Sequence, residues 1–493
     1  MEIAVFVFLF ALITAVGLFA GRWRAGDLSQ LDEWALGGRR FGSFVTWFLQ
    51  GGSIYTTYAF IAIPALVYGS GAIGFFALAY LIVAYPVAFV CLPPLWRVSH
   101  ERGHVTVSDF VKERFSSTTL ATLVALTGIV ATLPYLALQV YGIQVSIAEL
   151  GVPVEVSLTL AFVILAGITY VSGLRSAALI AIVKDVLIWI TVLVAVIYIP
   201  IRLGGYSHVF AQIGPAKRNL HPSEFAGYST LALGSGLALF LYPHTITGSL
   251  SSSSDRVIER NCVFLPLYTI MLGLLAILGY MAIVAGVHPT AAYGDNSVIP
   301  ALFQKMFPPA FAGFALAAIS IGALVPASIM AIAAGNLFSR NIYRELVTHP
   351  PSPATETRIS KLTSLTVKIG AVAFILAVPS TYVVNFQLAG GVWILQTLPA
   401  AFLALFCPWL DRLATIVGWV AGMALGTYLL VDTSFQSSTY AFDVLGIRAR
   451  LFIGLVALGV NLAVVLTGSA LSSLLGGRRR RPLTAQGPTA SPT

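Results

Sequence analysis

Lysine and aspartate stand side by side at positions 184 and 185, inside a stretch, 176–203, that is otherwise apolar up to Arg202 near its end. Ionisable side chains at membrane depth are costly and mark ion or proton pathways by default. Burial favours the neutral form of an amine and a neighbouring carboxylate favours the charged form, so Lys184 and Asp185 are suited to release and reload a proton within a cycle. The plainer alternative is a static ion pair, or a lysine that snorkels to the nearer membrane edge. His244 is the second titratable candidate. It follows Pro243 in Tyr242-Pro243-His244-Thr245 and can hydrogen-bond a carboxylate or carry a proton near neutral pH.

Other candidates bind without titrating. Gly51-Gly52-Ser53 lies near the middle of the apolar span Phe41 to Gly69, where two glycines and a serine cost helix propensity. A second apolar span, Gly227 to Gly248, carries Gly234-Ser235-Gly236 and then Tyr242-Pro243-His244, where Pro243 removes a backbone donor. Both helices are expected to break there. Half-helix N-termini attract anions through free amides and the helix dipole, so a carboxylate has a place at 51–53 and 242–245. The alternative for the glycines is close helix packing. Ser53, Thr56 and Thr57 add hydroxyls, although such side chains often bond back to their own carbonyls. Tyr135 and Gln139 follow Pro134, and Trp393 and Gln396 lie near Gly390-Gly391; they either close the pocket or tie helices together.

The elements that must position these groups are membrane helices. The chain has 493 residues, 58% hydrophobic and 10% charged, which is too apolar for a soluble protein of this size. Windows of roughly 20 apolar residues give thirteen spans, at about 2–20, 42–69, 72–96, 117–149, 155–173, 176–203, 227–248, 262–287, 309–337, 360–384, 387–408, 413–432 and 449–473. The first is followed by Gly21-Arg22-Trp23-Arg24 without a small-residue cleavage pattern, so it reads as a helix and not as a removed signal peptide.

Twenty of the 28 lysines and arginines fall in segments 21–40, 97–116, 174–176, 249–261, 338–361, 409–412 and 476–493. That bias makes those segments cytoplasmic, with the N-terminus outside and the C-terminus inside. The formal charge of +9 is this bias plus the run Arg478–Arg481, so nucleic-acid binding is not implied. Lys112, Arg114, Arg256, Arg260 and Arg340 read as cytoplasmic anchors. Cys91, Cys262 and Cys407 show no CxxC spacing, and no metal centre, disulfide framework or cofactor follows from them.

Paired broken helices in corresponding places of two halves point to a carrier's binding site. If each opens a repeat, spans two to six (42–204) and seven to eleven (226–408) are five-helix units, and an odd helix number makes them inverted. Residues 1–41 are then a first helix and cytoplasmic loop, 409–475 two closing helices, and 476–493 a basic tail rich in Pro, Ser and Thr, expected to be disordered.

Several blocks resemble the sodium/solute symporter family: Leu31-Asp32-Glu33-Trp34-Ala35-Leu36-Gly37-Gly38-Arg39, Gly173-Leu174-Arg175-Ser176-Ala177 leading into Lys184-Asp185, and Asn341-Ile342-Tyr343. Gly234-Ser235 through Thr245, Ile321-Gly322-Ala323-Leu324-Val325-Pro326-Ala327 and Gly390-Gly391-Val392-Trp393-Ile394-Leu395-Gln396-Thr397-Leu398-Pro399 look like its bacterial monocarboxylate permeases. The resemblance, over about residues 20–470, implies an all-α thirteen-helix form of the five-plus-five inverted-repeat fold with discontinuous helices two and seven. It also implies uptake of small carboxylates such as lactate, pyruvate or acetate.

In that family a sodium ion is held by carbonyls that map to Gly52 and Tyr55, and by a carbonyl near Gly322 with a hydroxyl pair that maps to Val325 and Pro326. Neither of those two side chains has an oxygen, and Ser328 is the nearest hydroxyl. A hard cation needs several oxygen ligands, so sodium binding is expected to be weak. Asp185 matches an acidic residue beside the family's sodium site, whereas Lys184 stands where a small hydroxyl residue is usual. In some proton-coupled transporters of the superfamily a lysine ammonium replaces the sodium.

The reading is an inner-membrane symporter, embedded in the lipid bilayer, for a small monocarboxylate substrate, driven by a proton or, second, by sodium. The alternative is a sodium-coupled symporter for another small solute, an amino acid or a sugar. A channel is disfavoured because paired broken helices suggest an occluded site, a sensor because the tail is short, and an enzyme because no nucleotide loop, metal cluster or nucleophile constellation is present.

Overall fold

Hydrocarbon leaves a spanning chain few ways to satisfy its backbone, and helices are one of them. The computed structural model describes residues 1–20, 27–378, 383–444 and 447–475, and they are mostly helical. The tail 476–493 and Gly21 to Arg24 lie outside the described residues. Eight described helices are long and apolar enough to cross a bilayer, among them Thr118–Ala148, Gly173–Arg202 and Pro309–Leu346. The number is ten when each of two bent pairs counts as one span. Glu2–Gly17 and Glu155–Gly167 are shorter apolar helices.

The helix Pro309–Phe338 runs through the centre, packed by Glu2–Ala20, Thr118–Ala148, Val154–Arg202 and Pro353–Ala377. Its alanines, glycines and serines let backbones approach closely; a Cβ at Gly335, for example, would press on the Ser360 backbone. Within Val154–Arg202 the chain turns at Gly173, whose φ of 59° suits only glycine at low cost.

The breaks differ from the sequence reading in three ways. Gly51-Gly52-Ser53 is helical: Ser43–Ile54 continues through it and leaves the helix at Tyr55, with φ −88° and ψ 85°. Gly234-Ser235-Gly236 is helical too, within Phe225–Leu239. In both places the glycines answer a packing demand. A Cβ at Gly51 would enter the Tyr268 ring and one at Gly236 would meet the Tyr80 backbone and the Val83 side chain. The break at Tyr242-Pro243 stands, with Pro215–Leu239 bent 45° from Pro243–Leu250. A third, unforeseen bend of 40° separates Asn385–Leu395 from Pro399–Phe406, where Pro399 restarts the helix.

Two boundaries also move. Pro353–Ala377 begins seven residues before the expected 360, because the Ser352 side chain caps Thr355 and Pro353 takes the first helical position. Residues 449–452 are a strand and not a helix start. Thr439–Val444 pairs antiparallel with Ile447–Phe452, and the last helix follows as Ile453–Leu474.

Candidate functional site

Where Ser43–Ile54 ends, the chain cannot hand its last carbonyls to a following turn, and two of them point at Lys184. The Lys184 ammonium donates to the carbonyls of Gly52 at 3.2 Å and Tyr55 at 3.3 Å. Its third partner is Asp185 Oδ1 at 3.0 Å. Three N–H donors thus meet three acceptors, and both side chains are buried. The packing at 52 is close: a Cβ there would lie 3.3 Å from both Lys184 Nζ and Ala181 Cβ.

Asp185 Oδ2 accepts a hydrogen bond from the Tyr268 hydroxyl. The Tyr268 ring stacks on Tyr55, with centroids 4.8 Å apart, and lies over Gly51. Span nine borders the same place with carbon: Val325 Cγ1 would sit 3.4 Å from a Cβ at Gly52. Gly322 faces Ile188 and Phe60, and Ser328 is buried further along that helix.

The second cluster begins one residue later. The Thr56 hydroxyl stands 3.4 Å from the Tyr135 hydroxyl and accepts from the Tyr58 amide at 3.1 Å. Gln139 Oε1 accepts the Thr57 amide at 3.0 Å, and its Nε2 donates to the Tyr135 carbonyl at 3.1 Å. Ser53 is spent locally, donating to the Gln50 carbonyl at 2.9 Å.

At the other break, Thr245 holds the turn by donating to the carbonyls of Leu239 and Tyr242 at 3.0 and 2.7 Å. Gln50 joins the two broken helices, its Nε2 donating to the Thr245 carbonyl at 3.2 Å and to Ser249 Oγ at 2.7 Å. His244 is fully buried. Its ring lies edge-to-face on Tyr135, 5.4 Å between centroids, and 5.5 Å from Tyr242. Among the described residues neither His244 nitrogen nor the Tyr242 hydroxyl has a hydrogen-bond partner. Buried polar groups are rarely left so without a reason.

These tyrosines border a small cavity of about 40 Å³, lined by Tyr58, Tyr80, Tyr135, Tyr242, Gln387 and Phe452 among others. Sequence reasoning missed Tyr58, Tyr80, Gln387 and Phe452. A glutamine inside an apolar span was a legible signal for Gln387, and the recurrence of tyrosine in spans two to four was a weaker one. Phe452 belongs to the hairpin and carried no signal.

Trp393 and Gln396 point elsewhere. Trp393 Nε1 donates to Thr427 Oγ1 at 3.2 Å. Gln396 Nε2 donates to the Gly454 carbonyl at 3.3 Å, and Asn461 Nδ2 donates to the Gln396 carbonyl at 2.9 Å. They tie span eleven to the last two helices at its bend. Two residues read as anchors are ion-paired: Arg340 with Asp109 at 3.5 Å and with Glu356 at 3.3 Å, and Lys112 with Glu345 at 2.5 Å.

The arrangement offers a buried cation clamped by backbone carbonyls, and a cavity bordered by the unpartnered Tyr242 hydroxyl, with the unpartnered His244 imidazole packed behind Tyr135 and Tyr242. Residues 34–426 match the model of the sodium:solute symporter family. The chain is 46% identical over 477 residues, 95% of its length and 96% of the relative's, to a monocarboxylate transport permease protein of Rhizobium johnstonii. It is 33% identical to an uncharacterised symporter, YodF, of Bacillus subtilis, covering 87% of each. Among solved structures, a substrate-bound, outward-open Na+-coupled sialic acid symporter superposes with a TM-score of 0.79 over 98% of this chain and 99% of that one, at 15% identity, which speaks for the fold alone.

Proposed function

Because the chain belongs to the sodium:solute symporter family, and so is a membrane transporter and not an enzyme, we propose that it takes up small monocarboxylates such as lactate, pyruvate or acetate together with a proton. The substrate class follows the name of the Rhizobium relative and suits a cavity walled by tyrosines. The carboxylate would lie between the two breaks, near the amide end of Pro243–Leu250. There the His244 nitrogens and the Tyr242 hydroxyl are unpartnered, with Thr56, Tyr135 and Gln139 fixing the opposite wall.

The observation that carries the coupling is the Lys184 ammonium on the carbonyls of Gly52 and Tyr55. Those are the oxygens to which the family's sodium ligands map, and Val325 adds carbon where a hydroxyl is usual. A charged amine saturated by three acceptors leaves little room for a second cation. Proton release then requires that the first broken helix move off Lys184, which couples protonation to the motion that opens the site. An anion entering with one proton moves no net charge.

We place this in a bacterial inner membrane, N-terminus outside and C-terminus cytoplasmic, following the arginine and lysine bias. A thirteen-helix, five-plus-five inverted arrangement with repeats at 42–204 and 226–408 accounts for the two breaks. It counts the shorter helix Glu2–Gly17, separates Glu155–Gly167 from Gly173–Arg202, and divides span two from span three at Gly71.

Labelled lactate or pyruvate uptake into proteoliposomes tests the reading. Accumulation is expected under an inward proton gradient without sodium. Accumulation only under a sodium gradient overturns the coupling assignment, and none under either overturns the substrate assignment in favour of an amino acid or sugar.

A further inference from the structure

We propose that Tyr268 is the positioning residue of the coupling site, holding the Asp185 carboxylate so that a proton leaving Lys184 passes to water admitted as the first broken helix withdraws, and not onto its neighbour. The proposal rests on the proton-coupled reading above. Lys184 and Asp185 are adjacent on one helix, so they stay together when other elements move. Of the ammonium's three acceptors, two are carbonyls of the first broken helix and only Asp185 Oδ1 belongs to its own helix. Once the broken helix withdraws, Asp185 is the one of those three acceptors that remains to compete with water for the proton. Transfer within the pair, from N–H to carboxylate oxygen, would give a neutral amine beside a neutral acid and keep the proton.

Tyr268 opposes that transfer. Its hydroxyl donates to Asp185 Oδ2, and a hydrogen bond to a charged acceptor is among the stronger ones. The ring cannot turn aside: it stacks on Tyr55 at 4.8 Å, tilts against Trp47 at 4.5 Å, and lies against Gly51. Ser43–Ile54 and Pro309–Phe338, the helices nearest the pair through Gly52 and Val325, carry no titratable side chain. The hydroxyls of Tyr55 and Tyr85 face each other at 3.3 Å. Tyr268 is therefore the one titratable side chain from another helix that contacts Asp185 among the described residues. It also touches both the broken helix, through Tyr55, and the coupling pair.

The test uses the full-length transporter in proteoliposomes, with Tyr268→Phe to remove the hydroxyl and keep the stacked ring. Two readouts separate coupling from structure: accumulation of labelled lactate under a proton gradient, and counterflow of lactate with no gradient. Tyr268→Phe is expected to keep counterflow within about twofold and to lower accumulation about tenfold, the factor set by one hydrogen bond to a charged group. In an Asp185→Asn background, where there is no carboxylate to hold, the same change should have less than about a twofold effect on either readout. Wild-type accumulation by Tyr268→Phe, or an equal loss in both backgrounds, overturns the proposal. A wild type driven by sodium alone rejects the proton reading itself, a separate result seen before any variant is made.

Discussion

The Lys184 ammonium stands 3.2 Å from the Gly52 carbonyl, at a glycine where an added Cβ would lie 3.3 Å from the same nitrogen. The broken helix and the charged helix are therefore joined by a contact that is strongest while the amine is protonated and that depends on the break being in place. The consequences are measurable.

Removing the amine should uncouple transport. Lys184→Ala is expected to abolish proton-driven accumulation, at least about tenfold, for loss of a charged hydrogen-bond donor. Lactate counterflow, which needs no net proton movement, should persist. Unchanged accumulation would assign the pair to structure.

Gly51→Ala places a methyl 2.5 Å from Tyr268 ring carbons. Overpacking of this kind costs about 1–3 kcal/mol, so the thermal midpoint in detergent should fall. Gly42→Ala meets nothing within 4 Å and serves as the control, expected within about 0.5 kcal/mol of wild type.

His244→Phe keeps a ring between Tyr135 and Tyr242 and deletes both nitrogens. If these nitrogens meet the carboxylate, KM for lactate should rise about tenfold with little change in the thermal midpoint. An unchanged KM would make His244 a packing residue.

Asn461→Ala strips the donor to the Gln396 carbonyl in a buried setting. The expected loss is about 1–3 kcal/mol of stability, with KM within about twofold of wild type, because this network lies behind the cavity.

Just past the span Thr118–Ala148, which ends one residue short of the expected 149, burial, and secondarily the Glu2 carboxylate, raise the Glu149 carboxyl above the usual range. A folded state that holds this proton more tightly than the unfolded chain is favoured at acid pH and loses that advantage as pH rises through the raised value. Glu149→Gln should match wild type near pH 4 and exceed its thermal midpoint at pH 7. The opposite ordering would contradict the assignment.

Much of the site was legible because its chemistry is written in residue type. A lysine next to an aspartate at 184–185 and a proline before His244 carry their meaning without coordinates, whereas carbon at 325–326 carries one only through the family resemblance. Gly51 and Gly52 were legible as a special place but not as the right one. Glycine permits both a break and a close approach, and only the Tyr268 ring and the Lys184 amine, brought from distant helices, show that packing is what these positions serve. Trp393 and Gln396 left two readings open, pocket or helix tie, for a related reason: a polar atom in an apolar span must find a partner, and its type does not say which neighbour supplies it.

The sequence by itself determined that this chain is a polytopic helical membrane protein, because that many apolar residues have no other stable setting. It also determined that an ionisable pair lies inside an apolar stretch and that a helix is expected to break around Pro243. Tertiary structure alone decided that the carbonyls released at Tyr55 meet Lys184, that Tyr268 completes the group on Asp185, and that Gln387 and Phe452 help wall the cavity. Those relations depend on how helices far apart in the chain approach one another, and interlocking side chains at their interfaces set that approach.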